Sequence, residues 1–180
     1  MTDKAELTPK QFFQNTMLFE LCLALIGIGI CYALGYVPPI YSGSVAVTAM
    51  LAVCGALGMF VAMQLITNCH GWVKAQSLEI YKKVGPMFSK LATYQIILIA
   101  IAAGVCEELL FRAGLQEALA IKLQPMWAII IASLVFGLVH ALTPLYFVLA
   151  TIMGLALGVG YHYSQDLIGV MLWHAIYDII

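Results

Sequence analysis

The chain has 180 residues, of which 63% are hydrophobic and only 9% charged, and its formal net charge is −1. A soluble domain carries about 25% charged residues, so a mean hydropathy of +0.99 points to lipid, not water, as the solvent. The charge balance also excludes a basic nucleic-acid footprint, so no nucleic-acid partner is expected.

Residues 1–16, MTDKAELTPKQFFQNT, are polar. The apolar run after them is too long for a signal-peptide core and carries no small-residue cleavage site, so it reads as a retained membrane span. A helix crosses a bilayer with about 20 apolar residues. Met17–Val37, closed by Pro38-Pro39, is the first such stretch, and Ser44–Ile66 is the second, with PPIYSG as a short uncharged turn between them. Composition then changes. His70–Leu91 contains Lys74, Lys82, Lys83 and Lys90, with Trp72, Leu78, Tyr81, Val84 and Phe88 at near-helical spacing. This suits an amphipathic helix lying on the membrane surface; a solvated loop is the alternative.

A third span is predicted from Ala92 through EELLFR towards Lys122. A fourth covers Pro125–Leu142 and ends at Thr143-Pro144. A fifth covers Leu145–Tyr163, and a last one Leu167–Ile180. The expected fold is therefore an all-α, polytopic transmembrane helical bundle of about six spans, plus the interfacial helix. It forms a single transmembrane domain over residues 1–180, with its motif-bearing core at 92–180. Lys4 and Lys10, with the four later lysines, put their end of the bundle in the cytoplasm by the positive-inside rule. Arg112 and Lys122 fall in or beyond the outer half.

The five cysteines (Cys22, Cys31, Cys54, Cys69, Cys106) are odd in number and lack CxxC spacing, which indicates neither a disulfide framework nor a zinc ribbon. They read as small core hydrophobes. Gly154, Gly158 and Gly160, with Ala156, read as one helix-packing face. Glu20, close to the start of the first span, reads as reaching the interface, and His70 and His162 as polar tips at span ends.

Ionisable groups within spans cost at least a few kcal/mol each and are functional candidates by default. Those that stand out are Glu107, Glu108, Arg112, His140, His174 and Asp178. On a helix, Glu108 and Arg112 are four apart and share a face, so they can pair. Glu107 points about 100° away and lacks that partner, which leaves it free to face a cavity as a general base. The bland reading is a single buried ion-pair knot of all three.

Glu107 lies 17 positions before Gln124, and His140 lies 16 after it. If Gln124-Pro125 turns between antiparallel helices, both residues sit roughly 24 Å from that turn. A carboxylate and an imidazole at one depth can share a water. His174 and Asp178 are four apart on the last helix, but His174 is only roughly 13 Å from the Tyr163–Asp166 turn. Helix offsets or a protruding turn must absorb that difference. The bland reading of this pair is a local hydrogen bond that orients an interfacial histidine.

At these residues the chain resembles the CAAX-protease and bacteriocin-processing family of intramembrane peptidases, also called Abi. The family signature is EExxxR, then FxxxH, then HxxxN or HxxxD, each on a separate transmembrane helix. Here these read Glu107-Glu108-Leu109-Leu110-Phe111-Arg112, Phe136-Gly137-Leu138-Val139-His140 and His174-Ala175-Ile176-Tyr177-Asp178. The flanking AGLQEAL and ASLVFGLVHAL are also similar, and the resemblance covers roughly residues 95–180. It implies a glutamate-type peptidase acting on a membrane-associated or lipidated substrate, without a cofactor, in the inner membrane of a bacterium or archaeon. It further implies that Glu107 and His140 activate water, that His174 and Asp178 stand on the oxyanion side, and that Glu108 and Arg112 support the site. Asp178 stands where asparagine would be a natural donor. An ionised aspartate cannot donate, so Asp178 either orients His174 or carries a proton.

Other readings remain open. A metallopeptidase could use the same side chains as ligands, although no HExxH is present. Intramembrane Glu/His relays also mark proton-coupled transporters, although no inverted repeat is visible. A non-catalytic binder of hydrophobic peptides is a further option. No residue distinguishes among prenylated tails, bacteriocin leaders and sorting segments as substrates.

Overall fold

The computed structural model describes residues 7–69 and 71–180; Lys4 and His70 lie outside the described residues. Helix α1 covers Pro9–Leu34 and begins well before the apolar run. Thr8 accepts the Gln11 N–H at 3.2 Å while Gln11 Oε1 accepts the Thr8 N–H at 3.0 Å. This capping box, with proline at the first helical position, starts the helix in polar sequence. Gly35, at φ 61°, ends it. The earlier start moves Glu20 from the edge of a span to its interior.

Helix α2 covers Val45–Cys69. The PPIYSG segment between α1 and α2 does more than turn: Pro39 and Ile40 carbonyls accept the Leu167 and Ile168 N–H groups at 3.3 and 3.0 Å. It therefore satisfies donors that the start of the last helix would otherwise leave open. Helix α3, Gly71–Phe88, decides between the two readings of its segment in favour of a helix. The face that meets the bundle is Val73, Ser77, Ile80, Val84 and Phe88, whereas Trp72, Leu78 and Tyr81 are exposed. Phe88 packs edge-on against Phe12 at 5.6 Å between ring centres. That contact brings the start of α1 and the end of α3 to one end of the bundle, with Lys10 and the α3 lysines.

The third span is one continuous helical path in three parts: α4, Thr93–Glu108; a π-helical segment, Leu109–Gln116; and α5, Glu117–Ala120. Helix α6 covers Pro125–Val139, α7 Pro144–Ser164 and α8 Leu167–Ile179. Among the described residues, α1, α2 and α7 are long and apolar enough to cross a membrane, while α6 and α8 are apolar but shorter. Helix α6 ends at Val139, with His140 as its C-cap, earlier than the Leu142 boundary read from hydropathy.

Close approach sets the packing. A Cβ on Gly104 would lie 2.7 Å from the Ala175 N and Met171 O atoms, so α4 and α8 meet backbone to backbone. One on Gly27 would collide with the Leu109 carbonyl, which seats α1 against the π segment. Such small-residue contacts are how helices associate where lipid removes the hydrophobic drive between them. Gly154 and Gly158 serve the same purpose towards Ser133 and Ile129 on α6, whereas Gly160 turns towards Trp173 on α8. The predicted single glycine face is therefore two faces. Outward, Leu18, Phe19, Leu25, Met50, Leu57 and Leu65 are exposed, the expected surface for helices bathed in hydrocarbon. Of the cysteines only Cys31 is buried; Cys22, Cys54 and Cys69 are exposed and Cys106 is half-buried. Most are thus surface groups on apolar helices, not core.

Candidate active site

All six candidate residues, Glu107, Glu108, Arg112, His140, His174 and Asp178, meet at one place. Glu107 and Glu108 end α4, where α8 presses against it at Gly104. This contact, and not the turn between α7 and α8, fixes the height of His174. Alongside, Leu51 of α2 lies against Gly169 and Gly55 against Trp173. Because α8 takes its register from α4 and α2, the mismatch of about 10 Å from counting 1.5 Å per residue back to the α7–α8 turn disappears. Asp166 holds that register from the far end. It caps α8 by accepting the Gly169 N–H at 2.8 Å, takes a hydrogen bond from the Thr48 hydroxyl of α2, and is fully buried.

The two adjacent glutamates have separate surroundings. Glu108 is fully buried, with Oε2 3.0 Å from Arg112 Nε, and its Oε1 accepts the His174 Nδ1–H at 2.8 Å. Arg112, also buried, donates from Nη2 to the Gly154 carbonyl at 2.8 Å and lies over the Phe136 ring at 5.0 Å. Four residues on, Gln116 donates to the Gly158 carbonyl at 3.2 Å. Arg112 and Gln116 belong to the π segment, whose wider turns are a recurrent feature of functional sites. The match of two polar side chains to two α7 carbonyls is what the plain α-helical reading of EELLFR left out.

Glu107 makes no such bonds. Its Oε1 is 3.5 Å from His140 Nε2, its Oε2 is 3.9 Å from His174 Nε2, and Oε2 is buried without a hydrogen-bond partner. Asp178 Oδ2 stands 3.6 Å from His174 Nε2. These separations exceed those of direct hydrogen bonds and are the kind that a bridging water fills. The expectation that Glu108 pairs with Arg112 while Glu107 faces a cavity agrees with this geometry, and the three-way ion-pair knot does not.

His140 is the first residue beyond α6, not a residue within a helix. Its Nδ1–H donates to the Phe136 carbonyl at 2.8 Å, and its ring stacks on the Phe136 ring with centres 4.4 Å apart. That explains the four-residue spacing of FxxxH: the imidazole closes a carbonyl left open at the helix end, and this bond turns Nε2 towards Glu107. Phe136 also packs edge-on against Phe111 at 5.0 Å.

Glu107, His140, His174 and Asp178 line a cavity of about 470 Å3. Its walls are mostly apolar, with Phe60 and Met63 on α2 and Met153 on α7, and Ser77 and Ile80 of α3 line it towards the lysine-bearing end. So α3 both covers the bundle surface and closes one side of the site. Among the described residues, no group of three or more His, Cys, Asp or Glu side chains has the arrangement of a metal site.

Two neighbours of the site were not among its sequence candidates. Tyr146 lines the cavity, with its ring 6.3 Å from that of His140; a lone tyrosine in an apolar helix gives no signal. Glu20 on α1 is 5% exposed, and its charge is within electrostatic range of Glu107, His174, His140 and Asp178. The rule that flagged the other intramembrane charges would have flagged it had α1 been started at Pro9.

The fold and site together define a polytopic helical membrane protein with a carboxylate–imidazole centre lining a mostly apolar cavity. Residues 89–180 match the family model described as type II CAAX prenyl endopeptidase Rce1-like. The match spans half of the chain and includes every motif residue, so the chain belongs to this family of membrane-embedded proteases. No curated protein and no solved structure matches the chain.

Proposed function

We propose that the chain is an intramembrane endopeptidase of the glutamate type, hydrolysing a peptide bond in a membrane-associated or lipidated peptide or protein tail. The observation that carries this reading is the Glu107 carboxylate lining the cavity between two histidines: its Oε2 is buried without a hydrogen-bond partner, 3.9 Å from His174 Nε2, and its Oε1 is 3.5 Å from His140 Nε2.

His140 Nδ1–H is engaged by the Phe136 carbonyl, so in the neutral ring Nε2 carries a lone pair. A water between Nε2 and Glu107 then donates one hydrogen to each and turns its own lone pair towards a carbonyl carbon. Glu107 accepts the proton as the C–O bond forms. His174, held by Glu108 at Nδ1, presents Nε2–H to the oxyanion, a contribution of several kcal/mol in such sites. Collapse of the tetrahedral species breaks the C–N bond, and the proton held by Glu107 passes to the leaving amine. Asp178, on the far side of Nε2, orients His174. The apolar walls suit a hydrophobic segment or lipid chain beside the cleaved bond.

The test compares membranes carrying the wild-type chain with membranes carrying Glu107→Gln, and maps protein termini by mass spectrometry. Specific cut termini that vanish in the variant, at equal protein abundance, support the peptidase and name its substrate. If no terminus changes, hydrolysis is rejected, and a proton-coupled transporter or a non-catalytic binder takes its place.

A further inference from the structure

Helix α3 is held differently from the rest of the bundle. None of its 18 residues is buried. Among the described residues, none of its side chains makes a hydrogen bond or ion pair to another helix. The Ser77 hydroxyl donates to the Val73 carbonyl of its own helix at 3.0 Å, and Lys82 pairs with Glu79 at 2.7 Å. What seats the helix is packing, through Ser77 and Ile80 at the cavity wall and Phe88 on Phe12. A segment with so little burial opens locally at low cost, yet it closes one side of the site.

The outward side of α3 indicates what covers it. Trp72, Leu78 and Tyr81 are each more than half exposed, a poor surface to leave in water. Lys74, Glu79, Lys82 and Lys83 are exposed beside them, a poor surface to place in hydrocarbon. The headgroup layer suits both, with aromatic rings at the boundary and lysine stems reaching to its polar side. Charge then selects the lipid. Glu79 is taken up by Lys82, which leaves Lys74 and Lys83 without an ion pair among the described residues. These two are nine positions apart, hence on opposite flanks of the helix and roughly 14 Å apart along it, so each meets a separate headgroup. The Phe12–Phe88 contact brings Lys10 to the same end of the bundle.

We propose that the outward side of α3 binds anionic phospholipid headgroups, and that this contact clasps the helix over the cavity that Glu107 and His140 line. Zwitterionic lipid accommodates the same aromatic side chains but gives Lys74 and Lys83 no net charge to meet. The negative charge of the leaflet therefore sets how tightly one wall of the site is closed. An interfacial position alone requires no particular lipid; the clasp requires a negative one, whatever reaction the cavity performs.

The experiment is amide hydrogen exchange on the purified full chain in lipid nanodiscs, of phosphatidylcholine alone or of an equal mixture of phosphatidylcholine and phosphatidylglycerol. Exchange over α3 should slow by about ten-fold or more in the mixed discs, with α7 as the unchanged reference. High salt should remove most of the difference. Lys74→Gln/Lys83→Gln should exchange alike in both lipids, while Lys74→Arg/Lys83→Arg keeps the charge and the slowing. Equal α3 exchange of the wild type in the two lipids overturns the proposal, a comparison that needs no variant to fold. A slowing that survives in Lys74→Gln/Lys83→Gln overturns it too. If phosphatidylglycerol has no effect but polyglutamate slows α3 in phosphatidylcholine alone, the face docks an acidic protein and the lipid clasp is rejected. No substrate is used, so if α3 responds to lipid charge while the chain cleaves nothing, the peptidase reading alone has failed and the clasp stands.

Discussion

Glu107 and Glu108 are neighbours in sequence, yet they belong to two regions built on opposite plans. Around Glu108 the structure is closed: Arg112 and His174 Nδ1 engage the fully buried carboxylate, and Arg112 is itself held by the Gly154 carbonyl and the Phe136 ring. Around Glu107 contacts stretch to 3.5–3.9 Å and a cavity begins. The difference shows how a single helix supplies both kinds of carboxylate. One residue step turns a side chain by about 100°, enough to send one glutamate into the helix contacts and the other to the cavity. The closed region fixes the second histidine, and the open region leaves room for the reacting groups.

If that division holds, Glu107→Gln should remove activity almost completely, by about 10^3-fold or more in kcat/KM, with little change in melting temperature. A peptide-cleavage assay and a thermal melt in detergent check both halves. Arg112→Met should do the reverse of sparing the fold. It strands Glu108 as an unpaired buried charge and should cost about 3–5 kcal/mol of stability, read from denaturant unfolding. An Arg112→Met protein as stable as Glu107→Gln would break the comparison. Gly104→Val should force α8 away from α4 and shift His174 relative to Glu107, for a loss of activity of about 10^2-fold, with Glu107 and His140 intact. Asp178→Asn should change activity least. Its carboxylate is 3.6 Å from His174 Nε2, beyond a good hydrogen bond, so a change of about 1 kcal/mol in the barrier is expected, read from kcat/KM.

Much of this was legible in the chain. Hydropathy and breakers located the apolar helices, because apolar length and proline placement are local properties, but they left α3 open between a helix and a loop. The equal depth of Glu107 and His140 followed from counting residues from a common turn, which works for two helices joined directly. The same counting misplaced His174. The height of α8 is set by Gly104 and by the Pro39 and Ile40 carbonyls, contacts that no residue near His174 announces. The π segment was likewise invisible, and the α7 carbonyls that its Arg112 and Gln116 reach are distant in the sequence. Glu20 was misplaced for a simpler reason: polar first turns look like a tail until Thr8 and Gln11 are recognised as a cap.

Helix α6 has 15 residues, which at 1.5 Å per residue is about 22 Å, against a hydrocarbon layer about 30 Å thick. A helix this short cannot match an undisturbed bilayer, and the lipid beside it compensates by thinning or by drawing headgroups inward. His140 sits where the helix stops. The deficit therefore falls next to the site, on the side where α3 carries its lysines. A bilayer thinned beside α6 would bring its polar surface nearer to His140 and Glu107.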